Sequence, residues 1–344
     1  MEPGRYGGLT PAGDGMKHPR RQFLHLAAGA ALCILAACVP ASAQTWPAAK
    51  PITIVVPTPP GPSIDMIARL LAPRLSEALG QAVIVDNRSG ANGTIGSNAV
   101  AQAAPDGYTL LAATPASHVT AVHLMKNLPF DPVKDFTPIM AAVEPVTALV
   151  VNAALPVNSV QELIAYAKAN PGKLSYGSSG VGSVFHLTGE LFNRIAGVSI
   201  THVPYRGVSQ PMQDVAAGHI QLLHISLASA RGALLSGKAK VLAILEPTRY
   251  AKLPDIPSMS EILPAFRKPS TWFGFFGPAR LPPEIVARLN TEMRHAIGRP
   301  EARAKLEDGD LTIIAGTPEE FATLQKDGIE QFGEIIKAAG IKPQ

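Results

Sequence analysis

The 344-residue chain has only 2 cysteines, and both, Cys33 and Cys38, fall within its first 43 residues. Everything after them lacks a thiol, which excludes disulfides, thiolate metal sites and thiol catalysis there. Charge is also sparse. Asp, Glu, Lys and Arg make up 16% of the chain, 30 basic residues against 26 acidic, with no basic run longer than a pair. Nucleic-acid binding therefore has no electrostatic footprint. No apolar run reaches the roughly 20 residues that a membrane-spanning helix needs, because Pro, Gly or a charge interrupts each one. What is present is 47% hydrophobic content, enough for a sizeable core and, at this length, for more than one domain.

Residues 17–43 have the order of a secretory signal: a basic start, an apolar stretch over 26–39 and the small-x-small end Ala41-Ser42-Ala43. Arg20-Arg21-Gln22-Phe23-Leu24 matches a bacterial twin-arginine export signal, and Met16 is a candidate start. Leu35-Ala36-Ala37-Cys38 offers the alternative of lipidation at Cys38, and an uncleaved membrane anchor is a second alternative. Cleavage after Ala43 is the expectation. It removes Arg5, Lys17, Arg20, Arg21, Glu2 and Asp14, leaving 26 basic and 24 acidic residues, a net charge of +2, on 301 residues.

The remaining chain alternates short β-rich runs with helical periods. Strands are expected at 52–56, 82–85 and 108–113, with helices over 64–80, kinked at Pro73, and 94–102 between them. This β-α-β-α-β order marks a parallel sheet with crossover helices. A second such run has strands at 148–151, 174–176, 201–203, 220–225 and 241–245. Ser159…Glu162 is a capping box, and Thr317-Pro318-Glu319-Glu320 starts a last amphipathic helix over 318–338. Two α/β units without a Ser/Gly linker suggest lobes joined by crossing strands. The boundaries are a leader over 1–43, a first lobe of 44–145 plus 268–344, and a second lobe of 146–267.

Four strand-to-helix loops are candidate ligand loops, since ligands of open α/β sheets bind beyond strand C-termini. The richest is Gly177-Ser178-Ser179-Gly180-Val181-Gly182-Ser183, whose amides and hydroxyls beside a helix start suit an anion. No Gly-Lys-Ser/Thr follows it, so it is not a phosphate-binding P-loop. Phe185 breaks the dinucleotide fingerprint and Val181 the nucleophile elbow. The others are 57–63, stiffened by its prolines and ending at the candidate N-cap Ser63, then 114–118, and Pro204-Tyr205-Arg206-Gly207. The seven histidines beyond the leader (118, 123, 186, 202, 219, 224, 295) show no i, i+4 pair and no carboxylate cluster, so neither metal nor cofactor is expected. A Ser179–His186–Asp214 hydrolase is the rival grouping, without a supporting motif. Asp65, Asp86 and Asp106 read as caps and turn residues.

The ordered set of motifs resembles the Bug-type solute receptors of tripartite tricarboxylate transporters, over residues 46–342. The matching stretches are 50–57, 65–69, 80–93, with Asp86-Asn87-Arg88-Ser89-Gly90-Ala91-Asn92-Gly93, then 105–110, 128–136, 170–180 and 202–207. The resemblance implies an α/β, hinge-connected, two-lobed periplasmic-binding-protein type II fold, a Venus flytrap. It implies a non-enzymatic periplasmic receptor, a monomer, that delivers a small organic carboxylate to membrane transporter subunits, or a ligand-sensing partner subunit. Position by position it offers Thr58, Gly61, Ser63, Ser117 and His118 from the first lobe. The second offers Ser178, Ser179, Ser183, Tyr205 and Arg206, with His224 beside them. Two departures stand out. Thr58 replaces an aromatic and Pro62 a glycine, which removes one backbone donor. Ile225 stands where the family often has an acid, which argues against an amino-acid ligand.

Overall fold

The computed structural model describes residues 46–61 and 63–343. The export signal, the twin-arginine pair, Cys38 and Pro62 lie outside them. The described residues form one compact unit built on two sheets. The first sheet has six strands in the order β11 (Leu311–Ile313), β4 (Phe136–Pro145), β10 (Phe273–Pro278), β3 (Thr109–Ala113), β1 (Ile52–Val56), β2 (Val83–Asn87). The second has five: β7 (Thr201–Pro204), β6 (Ser175–Ser178), β8 (Leu222–Ser226), β5 (Thr147–Asn152), β9 (Ala239–Ile244).

Helix α1 (Ser63–Leu79) connects β1 to β2 and runs as one element across Pro73. Helix α2 (Thr94–Ala101) connects β2 to β3, and β1 pairs in parallel with both neighbours, as the alternating pattern requires. A short helix, α3 (Ala121–Leu124), follows β3 after a π-turn over Ala116–Thr120. In the second sheet α4 (Val160–Ala169), α5 (Val184–Ala196), α6 (Ser209–Ala217) and α7 (Leu227–Leu235) alternate with the strands. At the N-terminus of α4, Ser159 accepts the Glu162 N–H, while the Glu162 carboxylate takes the N–H of Asn158 instead of Ser159. A short α8 (Met259–Ile262) and then α9 (Pro283–Gly298), α10 (Pro300–Asp308) and α11 (Pro318–Ala338) complete the chain. The α11 capping box is complete: Thr317 and Glu320 each accept the other's N–H, an arrangement worth about 1 kcal/mol.

The topology fixes which sheet edges face one another. β4 runs parallel to β3, because both are antiparallel to β10, and only Val146 separates β4 from β5. β5 is antiparallel to β8, so its first residue, Thr147, lies beside Ser226 at the C-terminal end of β8. The chain thus passes directly from the C-terminal edge of one parallel set to that of the other. Every loop leaving β1, β2, β3, β6, β7 and β8 opens toward this crossing. One apolar cluster takes buried residues from both sheets and from α11, and each sheet has a further cluster of its own. Phe321 packs against Phe276 of β10 at a centroid distance of 4.5 Å, and Phe332, Ile335 and Ile336 belong to the same cluster as Leu187, Leu191 and Phe192 of α5.

Candidate functional site

In the first lobe, Asp65 organises the loop after β1. Its buried carboxylate accepts the Gly61 N–H at 3.0 Å, Asn87 Nδ2 at 2.8 Å and Arg69 Nε at 3.0 Å. Burial alone would raise its pKa, but Arg69, Asn87 and Gly61 together hold it below the usual carboxylate range. Asn87 also donates to Thr58 O at 3.1 Å, so the loop is tied down at both of its ends. Ser63 stands at the start of α1, and Thr58 Oγ1 is buried with no partner among the described residues.

The loop after β2 runs through Gly90, Ala91, Asn92 and Gly93 with positive φ at all four. For Ala91 that conformation costs about 1–2 kcal/mol, and less for Asn92, whose short polar side chain tolerates it. Pro57 packs directly under Gly93 and Gly96, so this turn and the loop after β1 form one surface.

Ser117 and His118 sit deeper than expected. Ser117 Oγ lies 3.0 Å from His118 Nδ1, and the ring is enclosed by Phe130, Phe136 and Phe276 at centroid distances of 5.8, 4.6 and 4.7 Å. Burial pushes its pKa down to about 3.

In the second lobe, Ser178 ends β6. Its Oγ accepts the Gly180 N–H at 3.1 Å and lies 2.7 Å from His202 Nε2. The Gly182 N–H donates to His186 Nδ1 at 2.9 Å, and Ser183 caps α5 by accepting the His186 N–H. Ser179 is half-buried beside them. Tyr205 joins this loop through its N–H, which donates to Ser178 O at 3.0 Å. Its hydroxyl is committed to Asp214 at 2.7 Å, and burial with that carboxylate pushes its pKa up to about 12. Arg206 is exposed and makes no ion pair among the described residues.

His224 does not reach these loops. Its fully buried ring packs against Tyr176 and Phe192 at 6.1 and 5.5 Å, and burial pushes its pKa down to about 3. Ile225 points to the opposite face, in an apolar cluster with Val150, Met212 and Val215. An acid at that position would be buried in the core, so Ile225 says nothing about an ammonium group in the cleft.

The two lobes meet at Gly182, where a Cβ would overlap Leu124 of α3. The structure places Thr58, Gly61 and Ser63 after β1, Ser178, Ser179 and Ser183 at the end of β6 and in the loop that follows it, and Tyr205 after β7, all at strand C-terminal ends, and puts His118 and His224 in the cores. The serine–histidine arrangement of a hydrolase is incomplete. Ser178 does face His202, but no carboxylate bonds that ring among the described residues, and Ser179 makes no hydrogen bond to His186.

Sequence reasoning missed a cluster at the crossing. Lys268, 7% exposed, lies 2.8 Å from Glu144 Oε1 and 2.6 Å from Glu246 Oε2. Burial would raise the Glu144 pKa, but Lys268 and Thr271 outweigh it and hold the group below its ordinary value. The three residues are spread over more than a hundred positions and share no motif; only the return of the chain between the sheets unites them.

Comparison with known proteins agrees with this geometry. The family model described as "Tripartite tricarboxylate transporter family receptor" matches residues 67–341. BugT of Bordetella pertussis is 34% identical over 306 residues, 88% of this chain and 93% of that protein. The structure described as R. palustris Rpa4515 with adipate superposes with a TM-score of 0.77 at 36% identity, covering 87% of this chain and 100% of that one. MatC from Rhodopseudomonas palustris, with bound malate, gives 0.71 at 31% identity, covering 84% and 99%. These are solute-binding proteins, not enzymes, and the two-lobed α/β fold of the periplasmic binding proteins is common to them and to this chain. The chain belongs to the tripartite tricarboxylate transporter receptor family, the Bug-type solute receptors.

Proposed function

We propose that this receptor is exported to the periplasm, captures a small organic carboxylate between its lobes and delivers it to the membrane subunits of a tripartite tricarboxylate transporter. The observation that carries the reading is the donor set on the loops at these strand ends. They present amides and hydroxyls, Asp65 is paired with Arg69, and Lys268 is paired with Glu144 and Glu246, which leaves the exposed Arg206 as the one cation on these loops without an ion pair among the described residues. A carboxylate takes such neutral donors as charge-assisted hydrogen bonds, each worth about 1.5–3 kcal/mol. Relatives above 30% identity solved with adipate and malate support a diacid. Residues 44–145 with 268–344, and 146–267, act as the two closing bodies, with Val146 and the Lys268 cluster at their hinge.

A thermal-shift screen of the mature protein against adipate, malate, succinate and benzoate tests this. A ligand at 100 times its Kd adds about 2.7 kcal/mol of stability. At least one acid should raise Tm, and its uncharged amide should not. A panel with no effect overturns the carboxylate reading. For transport, deleting the gene should abolish uptake of the same acid; unchanged uptake would leave a sensing role.

A further inference from the structure

We propose that His186 and His202 are positioning residues of the ligand site, a neutral imidazole pair on which the anion-binding loop of residues 177–183 is built. This deepens the receptor reading and rests on it.

The two rings stack with centroids 3.8 Å apart and planes 21° from parallel. Each makes one bond upward into the loop, His186 Nδ1 to the Gly182 N–H at 2.9 Å and His202 Nε2 to Ser178 Oγ at 2.7 Å. Ser178 has one hydroxyl proton, and Gly180 O lies 3.0 Å from its Oγ while the Gly180 N–H donates to it. The proposal assigns that proton to Gly180 O, which makes His202 the donor through Nε2–H. His186 accepts at Nδ1, so its proton is on Nε2, toward Glu190 at 3.9 Å. Tyr176 supports the pair from β6, donating to Glu190 at 2.5 Å and lying beside His202 at a centroid distance of 5.0 Å. No lysine or arginine pairs with either ring among the described residues.

The result is an alternation along the loop. Residues 178, 180 and 182 are fixed from below by this network. The N–H groups of Ser179 and Val181 have no partner among the described residues, and the neighbouring anchors hold them in a set direction. Fixed donors bind an anion more tightly than a flexible glycine loop, because the ordering has been done before the ligand arrives. Charging the pair would be self-defeating, since two imidazolium rings at this distance repel and a protonated Nδ1 cannot accept from Gly182. Burial agrees with this, pushing both pKa values down to about 4.

The test compares variants that keep or delete the contacting atom. Asn at 186 places its Oδ1 near the lost Nδ1, and Gln at 202 places a polar atom near the lost Nε2. Calorimetry uses the tightest wild-type binder among adipate, malate, succinate and benzoate. His186→Asn and His202→Gln should bind within about threefold of wild type, and His186→Leu and His202→Leu at least tenfold more weakly. Leu variants that bind like wild type, or Asn and Gln variants that lose as much as Leu, overturn the proposal while leaving the receptor reading intact. If none of the four acids binds wild type, the carboxylate reading falls instead. An independent readout needs no ligand. Nitrogen-15 NMR of the histidine rings at pH 7 should show Nε2–H tautomers at 186 and 202, and a proton on Nδ1 of His186 would overturn the proposal.

Discussion

Lys268 Nζ lies 2.6 Å from Oε2 of Glu246, a buried ammonium on a half-buried carboxylate where the chain returns from the second sheet to the first. The same ammonium reaches Glu144, at the end of the outgoing strand β4. Each carboxylate also takes the N–H and hydroxyl of a threonine, Thr271 for Glu144 and Thr147 for Glu246. One cation therefore ties both interlobe connections together. Removing it leaves two half-buried carboxylates facing each other; breaking a fully buried ion pair from one side costs about 3–5 kcal/mol, and the partial exposure of both acids puts this cluster at about 1–3 kcal/mol. Lys268→Met should lower stability in urea by about that much. Glu144→Gln, which keeps an acceptor for Thr271, should cost less. Equal midpoints for Lys268→Met and wild type would show that the cluster contributes nothing.

The buried histidines 118, 186 and 224, with the half-buried His202, predict how stability responds to acid. Burial lowers each from 6.5, to about 3 for His118 and His224 and to about 4 for His186 and His202. The unfolded chain therefore takes up protons first. Stability present above pH 6.5 is lost as pH falls from there toward 3–4, at a limiting slope of roughly 1.4 kcal/mol per pH unit for each histidine. Neither His224 ring nitrogen has a partner among the described residues, so His224→Leu should cost little at pH 7 and flatten the acid slope. Denaturant titrations at pH 7, 6, 5 and 4 measure this; an unchanged slope in His224→Leu would count against it.

Asp65 links the sequence motif to loop geometry. Replacing it with Ala frees the Gly61 N–H, Asn87 Nδ2 and Arg69 at once. Lost partners of this kind cost about 1–3 kcal/mol. Because the freed groups hold the loop carrying Thr58 and Gly61, ligand affinity should fall along with stability. Asp65→Asn retains one acceptor oxygen and should lie between. An Asp65→Ala protein with wild-type affinity would separate this loop from the site.

Much of the architecture was legible from local signals. The alternation over residues 52–113 specified a parallel sheet, and Thr317-Pro318-Glu319 marked the start of α11 at its observed residue. Strands β4 and β10 carried no comparable signal. Their FTPIMAAVEP and FGFFGP runs are buried on both faces, so the alternation that reveals a half-buried strand is missing. The candidate loops followed from their position after strands, but the depth of side chains within them did not. His118 and His224 looked like ligand contacts because they neighbour loop residues in sequence, whereas β8 turns His224 toward Tyr176 and Phe192. The pairing of His186 with His202 depends on strand β7 lying beside β6, which no local spacing encodes.

Gly182 tests lobe closure. Its φ of +76° already disfavours a side chain, and a Cβ there would overlap Leu124 across the cleft. Gly182→Ala should therefore have two separable costs. The left-handed backbone costs about 1–2 kcal/mol of stability whatever lies opposite. The clash opposes approach of the loop to α3 and should weaken ligand binding further. Leu124→Ala removes only the second obstacle. The double variant Gly182→Ala/Leu124→Ala should recover affinity but not stability, and the coupling energy from calorimetry of all four proteins measures the contact. Additive affinity losses would mean that residues 124 and 182 do not meet when ligand is bound.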